Sequence, residues 1–399
     1  MRSFLWKNRF ELGVLLGVIA LFFPIMAHWS ILGDFEPHAE FTLRMLANEP
    51  DFLMQRIPNF LWHASVGVPY AVLGIVPLTT YITIVNVLWY VFLGGIIFWQ
   101  LRLALARDNT LSGRDGAIAI VMTLALMMIV PINLFFPDSY YFGFVYPYVY
   151  HNPTMIPLRP LALLMFFVGV WSFNPSADRT QYGLRLAVVA LLSLACVWAK
   201  PSYTMVFIPA LGLVVLWRLL RREFIDWGMV VIGLGLPSVG LIGLQALTYT
   251  SGGMEFSPLL VFDLWAYHYD PLANQNLALK LVLSIAFPLV VYIAYWAQAR
   301  RDLTLNFAWI GFIIGVLYAY LFVDSGDRVA GNLSWNAQIG LMVLYIVAGI
   351  FWWRTHRQHP NTARFWAVAI VFGLHVVSGI LWIVAHMTTT YLDLIYKVW

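Results

Sequence analysis

The sequence predicts an all-α polytopic membrane protein, a helical bundle with about eleven transmembrane helices and its N-terminus inside. Three observations carry that prediction. Of 399 residues, 61% are apolar and only 11% charged, with a mean hydropathy of +0.79, whereas soluble domains carry about 25% charged residues. A chain this apolar cannot cover itself with polar side chains, so lipid is its solvent. The apolar residues also fall in repeated runs close to the roughly twenty needed to cross a bilayer core. Finally, the basic residues gather in alternate gaps between those runs. The whole chain, 1–399, reads as a single transmembrane domain.

The first run, 12–32, follows Arg2, Lys7 and Arg9 and has no Ala-x-Ala exit, so it is expected to stay as a first helix that doubles as the targeting signal. Further runs lie at 79–101, 116–137, 155–173, 186–199, 203–220, 227–248, 277–298, 304–323, 337–353 and 365–386. The fifth is short and turns into the sixth at Lys200-Pro201-Ser202, which reads as a tight external hairpin. Between the first two runs, 33–78 forms a long first external loop. Within it, 38–49 and 51–63 read as amphipathic helices lying along the interface, with Phe41, Met45 and Leu46, then Phe52, Ile57, Phe60 and Leu61 on their apolar faces.

With the N-terminus inside, 16 of the 23 Lys and Arg fall in internal segments, and every internal loop carries at least two. An odd span count places the termini on opposite faces. The net charge of +4 therefore reports sidedness, and no nucleic-acid partner is expected. Cys196 is the single cysteine and lies in an apolar run, which excludes a disulfide framework and a cysteine metal site. The chain has no Walker loop, no Gly-x-Ser-x-Gly elbow and no His-Glu-x-x-His. Its internal loops are too short for a nucleotide-sugar domain.

The external segments carry the chemistry. Directly after the first run, Gly33-Asp34-Phe35-Glu36-Pro37-His38-Ala39-Glu40 gathers three carboxylates and an imidazole. Acids beside Pro37 also suit the first turn of a helix, so capping is the competing reading of Asp34, Glu36 and Glu40. After the third run come Asp138, a tyrosine-rich stretch and His151-Asn152-Pro153-Thr154. The tyrosines fit an interfacial belt. His151 and Asn152 are hydrogen-bonding groups held against a proline turn. Arg159 lies inside the next run, where a cation costs up to about 3 kcal/mol on insertion scales and requires a partner or an anionic ligand.

Lys200, Lys280 and Arg328 are likewise cations at outer helix ends, against the positive-inside trend. Phosphate or pyrophosphate would explain them through charge-assisted hydrogen bonds; snorkelling or pairing with nearby acids is the alternative. The last loops place His268 among Trp265, Tyr267 and Tyr269, and Asn332 beside Trp335 and Asp324. Rings interleaved with acids and amides suit a carbohydrate. Asn332-Leu333-Ser334 also matches a glycosylation sequon, read here as chance. His375, deep in the last run, reads as a packing residue.

Taken together, the inside N-terminus, the Asp34-Phe35-Glu36 pair opening a long external loop, Asp138 after the third span and the external cations resemble the GT-C superfamily of membrane glycosyltransferases. That resemblance implies transfer of a sugar from a polyprenyl-phosphate-linked donor in the membrane lipid to a glycan or lipid acceptor, on the periplasmic face of a bacterial inner membrane. It implies catalytic roles for Asp34, Glu36 and Asp138, as base or as ligands of a divalent metal (Mg or Mn). His38, His151, Asn152, Arg159, Lys200, His268, Arg328 and Asn332 would then bind substrate. A polysaccharide polymerase or O-antigen ligase is a second reading. A lipid-linked glycan transporter or flippase, whose sites lie on broken helices near the midplane, is a third.

Overall fold

The computed structural model describes residues 8–47, 49, 59–105, 111–134, 141–175, 181–248 and 253–388. In chain order its helices are α1 (Arg9–Trp29), α2 (Phe35–Leu46), α3 (Leu61–Leu73), α4 (Leu78–Leu105), α5 (Gly113–Met128), α6 (Met155–Trp171), α7 (Tyr182–Ala199) and α8 (Ser202–Leu220). There follow α9 (Gly228–Thr248, whose first eight residues wind as a π-helix), β1 (Met254–Phe256), α10 (Leu260–His268), α11 (Leu277–Ala294) and α12 (Trp296–Ala299). The chain closes with α13 (Leu303–Leu321), β2 (Phe322–Asp324), α14 (Ser334–Gln358) and α15 (Thr362–Thr388). Among the described residues, nine helices are long and apolar enough to cross a membrane: α1, α4, α7, α8, α9, α11, α13, α14 and α15. The protein is an all-α, multi-pass membrane protein.

Those nine answer nine of the eleven apolar runs. The run at 155–173 forms α6, of 17 residues. The run at 116–137 departs further from expectation, because α5 stops at Met128. Pro131 has no N–H for a helix and pushes Val130 out of helical geometry. Past Met128 the chain is extended, with Ile129, Val130, Ile132 and Asn133 buried. Non-helical backbone inside a bundle must find partners within the protein. Ile132 N–H donates to Leu283 O at 3.2 Å, the carbonyl that α-helical geometry reserves for Phe287 N–H. Phe287 N–H donates to His375 Nε2 at 3.1 Å. An imidazole accepting at Nε2 carries its proton on Nδ1, and that N–H donates to Val130 O at 2.6 Å. His375 is thus a staple between the extended segment and α11.

α15 approaches this break through Gly379, where an added Cβ would sit 2.0 Å from Met128 O. α14 is the centre of the bundle: 89% of its most apolar window is buried, against 28% for α1. α13 lies against it at Gly315, whose Cβ would come within 2.6 Å of Asn336 O. Small residues permit such backbone approach where no hydrophobic force drives helices together.

Two interfacial elements differ from expectation. α2 falls where the first amphipathic helix is expected, but the second helix, α3, begins at Leu61 and continues to Leu73, where Gly74 (φ 57°) closes it by donating to Tyr70 O. Gly67 and Pro69 break the amphipathic period there, so this stretch reads as loop in sequence; packing on α2 and the Trp62 Nε1–Asn86 Oδ1 bond of 2.8 Å to α4 hold it helical. Residues 51–58 lie outside the described residues. The external loops also form a small antiparallel pair, β1 with β2, which an all-α reading does not anticipate. With α10 the pair packs on Phe142 through Val261, Phe262, Trp265 and Val323.

Candidate functional site

One end of the bundle collects the C-termini of α1, α7 and α15, the N-termini of α6, α8 and α14, and α2 with α3. The segment 141–154 descends into that end, and nearly all of it is buried. Arg159 holds it there. Its guanidinium is fully buried in α6, donates to Val149 O and Tyr90 Oη at 2.6 Å each, and lies between the rings of Tyr90 and Tyr148. The sequence leaves Arg159 with a protein partner or an anionic ligand; in the structure its partners are Val149 O and Tyr90 Oη, and it clamps the loop.

Asp34 occupies the residue before α2, yet its carboxylate makes no capping bond to that helix. It faces across to Asn152, whose Nδ2 is 3.4 Å from Asp34 Oδ2. Asn152 is itself fixed, because its Oδ1 accepts from Thr154 Oγ1 at 2.8 Å and from Met155 N–H at 3.3 Å. Glu36 and Glu40 are exposed in the first turns of α2, which fits the dipole reading. Asp138 lies outside the described residues.

Lys200 ends α7 in an extended conformation (φ −171°), and Pro201 opens α8. Its side chain is buried, with Nζ 4.5 Å from the centre of the Trp335 ring. Burial lowers its pKa to about 8, against the opposing field of Asp34. The ammonium makes no hydrogen bond or ion pair with a described residue. A desolvated cation held only by a ring face and a nearby carboxylate is prepared for an anionic oxygen.

Histidines surround this pair. His38 Nδ1 and His63 Nε2 are 2.8 Å apart, so one of the pair donates and the other accepts. Burial pushes His38 down to about 3, with His63 and the Lys200 charge acting the same way. Burial likewise takes His63 to about 4, and His151 to about 3, the latter aided by His386, Lys200 and Arg159. Tyr141 stands 6.2 Å ring to ring from His151, stacks on Trp382 and accepts from Gln338 at 3.5 Å. Burial and the Asp34 charge hold its phenol up at about 12 despite the Gln338 bond.

The structure therefore brings Asp34, His38, His151, Asn152 and Lys200 to one place. His268, Arg328 and Asn332 belong instead to the β1–β2 cover. Arg328 pairs with Glu255 at 2.6 Å, Asn332 donates to Asp324 at 3.0 Å, and exposed His268 lies against Tyr267. Lys280, another outer cation, donates to the carbonyls of Phe142 and Leu272.

The chain matches no family model and no curated relative. The site must be read from its own chemistry. Among the described residues no three His, Cys, Asp or Glu side chains converge as metal ligands. Two contributors escaped sequence reasoning. His63 could have been paired with His38, since both stand on adjacent interfacial helices. Gln338 opens an ordinary apolar run, and nothing in that run marks its first turn as part of a site; Trp335, read in sequence as a ring for a carbohydrate, lies instead against the Lys200 ammonium.

Proposed function

We propose that this protein is a membrane glycosyltransferase of GT-C type that takes a sugar from a polyprenyl-phosphate-linked donor to a glycan or lipid acceptor, on the non-cytoplasmic face. The observation that supports it is the opposition of an uncapping carboxylate, Asp34, to a buried ammonium, Lys200, at the end of the bundle away from the arginine-rich helix termini. In this reading α5 with its extended continuation and α6 complete eleven spans, and the N-terminus is inside.

Lys200 receives the donor phosphate, while Arg159 keeps segment 141–154 in position and does not touch the phosphate. Asp34, oriented by Asn152, takes the proton from an acceptor hydroxyl as that oxygen bonds to the anomeric carbon. The bond from the anomeric carbon to the phosphate oxygen breaks, its electron pair passing to the phosphate, where Lys200 balances the new charge. His38, neutral at pH 7 and braced by His63, supplies a hydrogen bond to a sugar hydroxyl. A divalent metal at Asp34 would add charge to the same phosphate.

The break in α5 favours a second reading, a lipid-linked glycan transporter, since transporters build sites on interrupted helices. One experiment separates the two. Asp34→Asn, reconstituted in liposomes with polyprenyl-phosphate hexoses and a lipid acceptor extract, is expected to form no product while keeping wild-type expression and detergent stability. Product formation at the wild-type rate removes Asp34 from catalysis. Translocation of the lipid sugar without product, in wild type, supports the transporter.

A further inference from the structure

A cavity of about 770 Å³ lies at the opposite end of the bundle, between the C-terminal turns of α8 and the start of α13. Leu213, Val214, Phe307 and Ile310 form its apolar wall, and Arg218, Arg221, Arg300 and Arg301 stand around it with a single acid, Glu223. That acid is already paired with Arg218 at 3.1 Å, and Arg218 is fixed further by donating to the carbonyls of Phe224 and Phe173. Three guanidinium charges remain. Arg221 lies over Trp217, and neither Arg300 nor Arg301 has an ion-pair partner among the described residues.

Ordinary positive-inside arginines project from loops into water. These surround a cavity, and the turn that carries them is held in place. Asn306 donates to Ala299 O and Asp302 O at 2.9 and 2.8 Å and accepts from Tyr292, while Asp302 caps Leu305 and pairs with Arg354. The cavity also opens sideways, since Leu213 and Trp217 are half exposed on the face that meets lipid. A free anion would satisfy the arginines and leave the apolar wall uncovered. A ligand that is anionic at one end and hydrocarbon at the other satisfies both.

We infer that this cavity binds an anionic phospholipid, its phosphate held by Arg221, Arg300 and Arg301 and an acyl chain lying along Leu213, Val214 and Ile310. The site is independent of the Asp34–Lys200 end.

Native mass spectrometry of the full chain in detergent, titrated with dioleoyl phosphatidylglycerol, dioleoyl phosphatidylcholine or glycerol phosphate, tests it. Phosphatidylglycerol is expected to bind in preference to phosphatidylcholine. The Arg300→Ala/Arg301→Ala variant is expected to bind it roughly thirtyfold more weakly, each cation near a lipid phosphate counting for about fivefold. Arg364→Ala, at the same end but on α15, is expected to behave as wild type. Ile310→Trp, which fills the wall without changing charge, is expected to weaken lipid binding and so checks the site without arginine loss. Equal retention of the two lipids by wild type, or unchanged phosphatidylglycerol binding in both cavity variants, overturns the inference. Glycerol phosphate binding as tightly as phosphatidylglycerol overturns the assignment to a lipid.

Discussion

Lys200 is the residue whose environment says most about its task. Burial holds its pKa near 8, with Asp34 opposing the shift, so it is a cation at neutral pH and loses that charge within a unit or two above it. Hydrogen bonds to charged groups contribute about 1.5–3 kcal/mol, so Lys200→Ala is expected to weaken binding of polyprenyl phosphate by roughly ten- to a hundredfold, with acceptor binding unchanged. For wild type the same affinity is expected to fall as pH rises through about 8, and Lys200→Arg to remove that fall. Fluorescent polyprenyl phosphate titrated between pH 6.5 and 9.5 reads both. Unchanged affinity in the alanine variant returns Lys200 to an interfacial anchor. The histidines give a second, opposite dependence. His38, His63 and His151 sit below their ordinary value of 6.5, down to about 3, 4 and 3. Between those values and 6.5 the unfolded chain takes up protons that the folded chain refuses, so stability is lost as pH falls below 6.5. The thermal midpoint in detergent is expected to drop from pH 6.5 to 4, and to drop less steeply in His63→Gln. A flat profile would mean that these imidazoles are hydrated.

At the scale of elements, the break after Met128 is the feature that organises the fold's interior. The extended segment is held by Ile132 N–H on Leu283 O and by His375, whose Nδ1–H donates to Val130 O while its Nε2 accepts from Phe287 N–H on α11, and α15 can reach it only because position 379 has no side chain. Gly379→Ala would place a carbon 2.0 Å from Met128 O, a backbone atom that cannot swing aside. Overpacking of this kind costs about 1–3 kcal/mol or more, and the variant is expected to lose that much stability in a detergent unfolding titration. Gly373→Ala, one to two turns earlier and meeting nothing within 4 Å, is the control and is expected to be neutral. Proline at 131 was visible in sequence as a helix breaker. Its consequence was not, because an apolar run of that length reads equally well as a continuous span.

Across the whole molecule, charge and chemistry separate to opposite ends. Arg102, Arg218, Arg354, Arg357 and Arg364 stand at one end of α4, α8, α14 and α15, several of them paired, as Arg102 with Glu11 and Arg357 with Asp115. Asp34, His38, Asn152 and Lys200 stand at the other. Reporter fusions after Arg102 and at Trp399 are expected to place the arginine end in the cytoplasm and residue 399 outside, because retained cations orient helices as they insert. A cytoplasmic residue 399 would reduce the span count by one and remove α5 or α6 from the crossing set.

The sequence by itself determined the solvent, the helical class, the positions of nine spans and the residue types gathered around Asp34. Each of these is set by local composition, since an apolar run in lipid satisfies its backbone groups most simply as a helix. Tertiary structure alone decided that α14 is the central helix, that Arg159 clamps the buried segment while Lys200 stays available, and that His268, Arg328 and Asn332 belong to the β1–β2 cover. Lipid tails and helix neighbours are equally apolar, so hydropathy cannot tell a face that meets lipid from one that meets α14. A buried cation's partner is chosen by which helix ends come together in space: for Arg159 a tyrosine hydroxyl from α4 and a carbonyl ten residues upstream, for Lys200 a ring on α14.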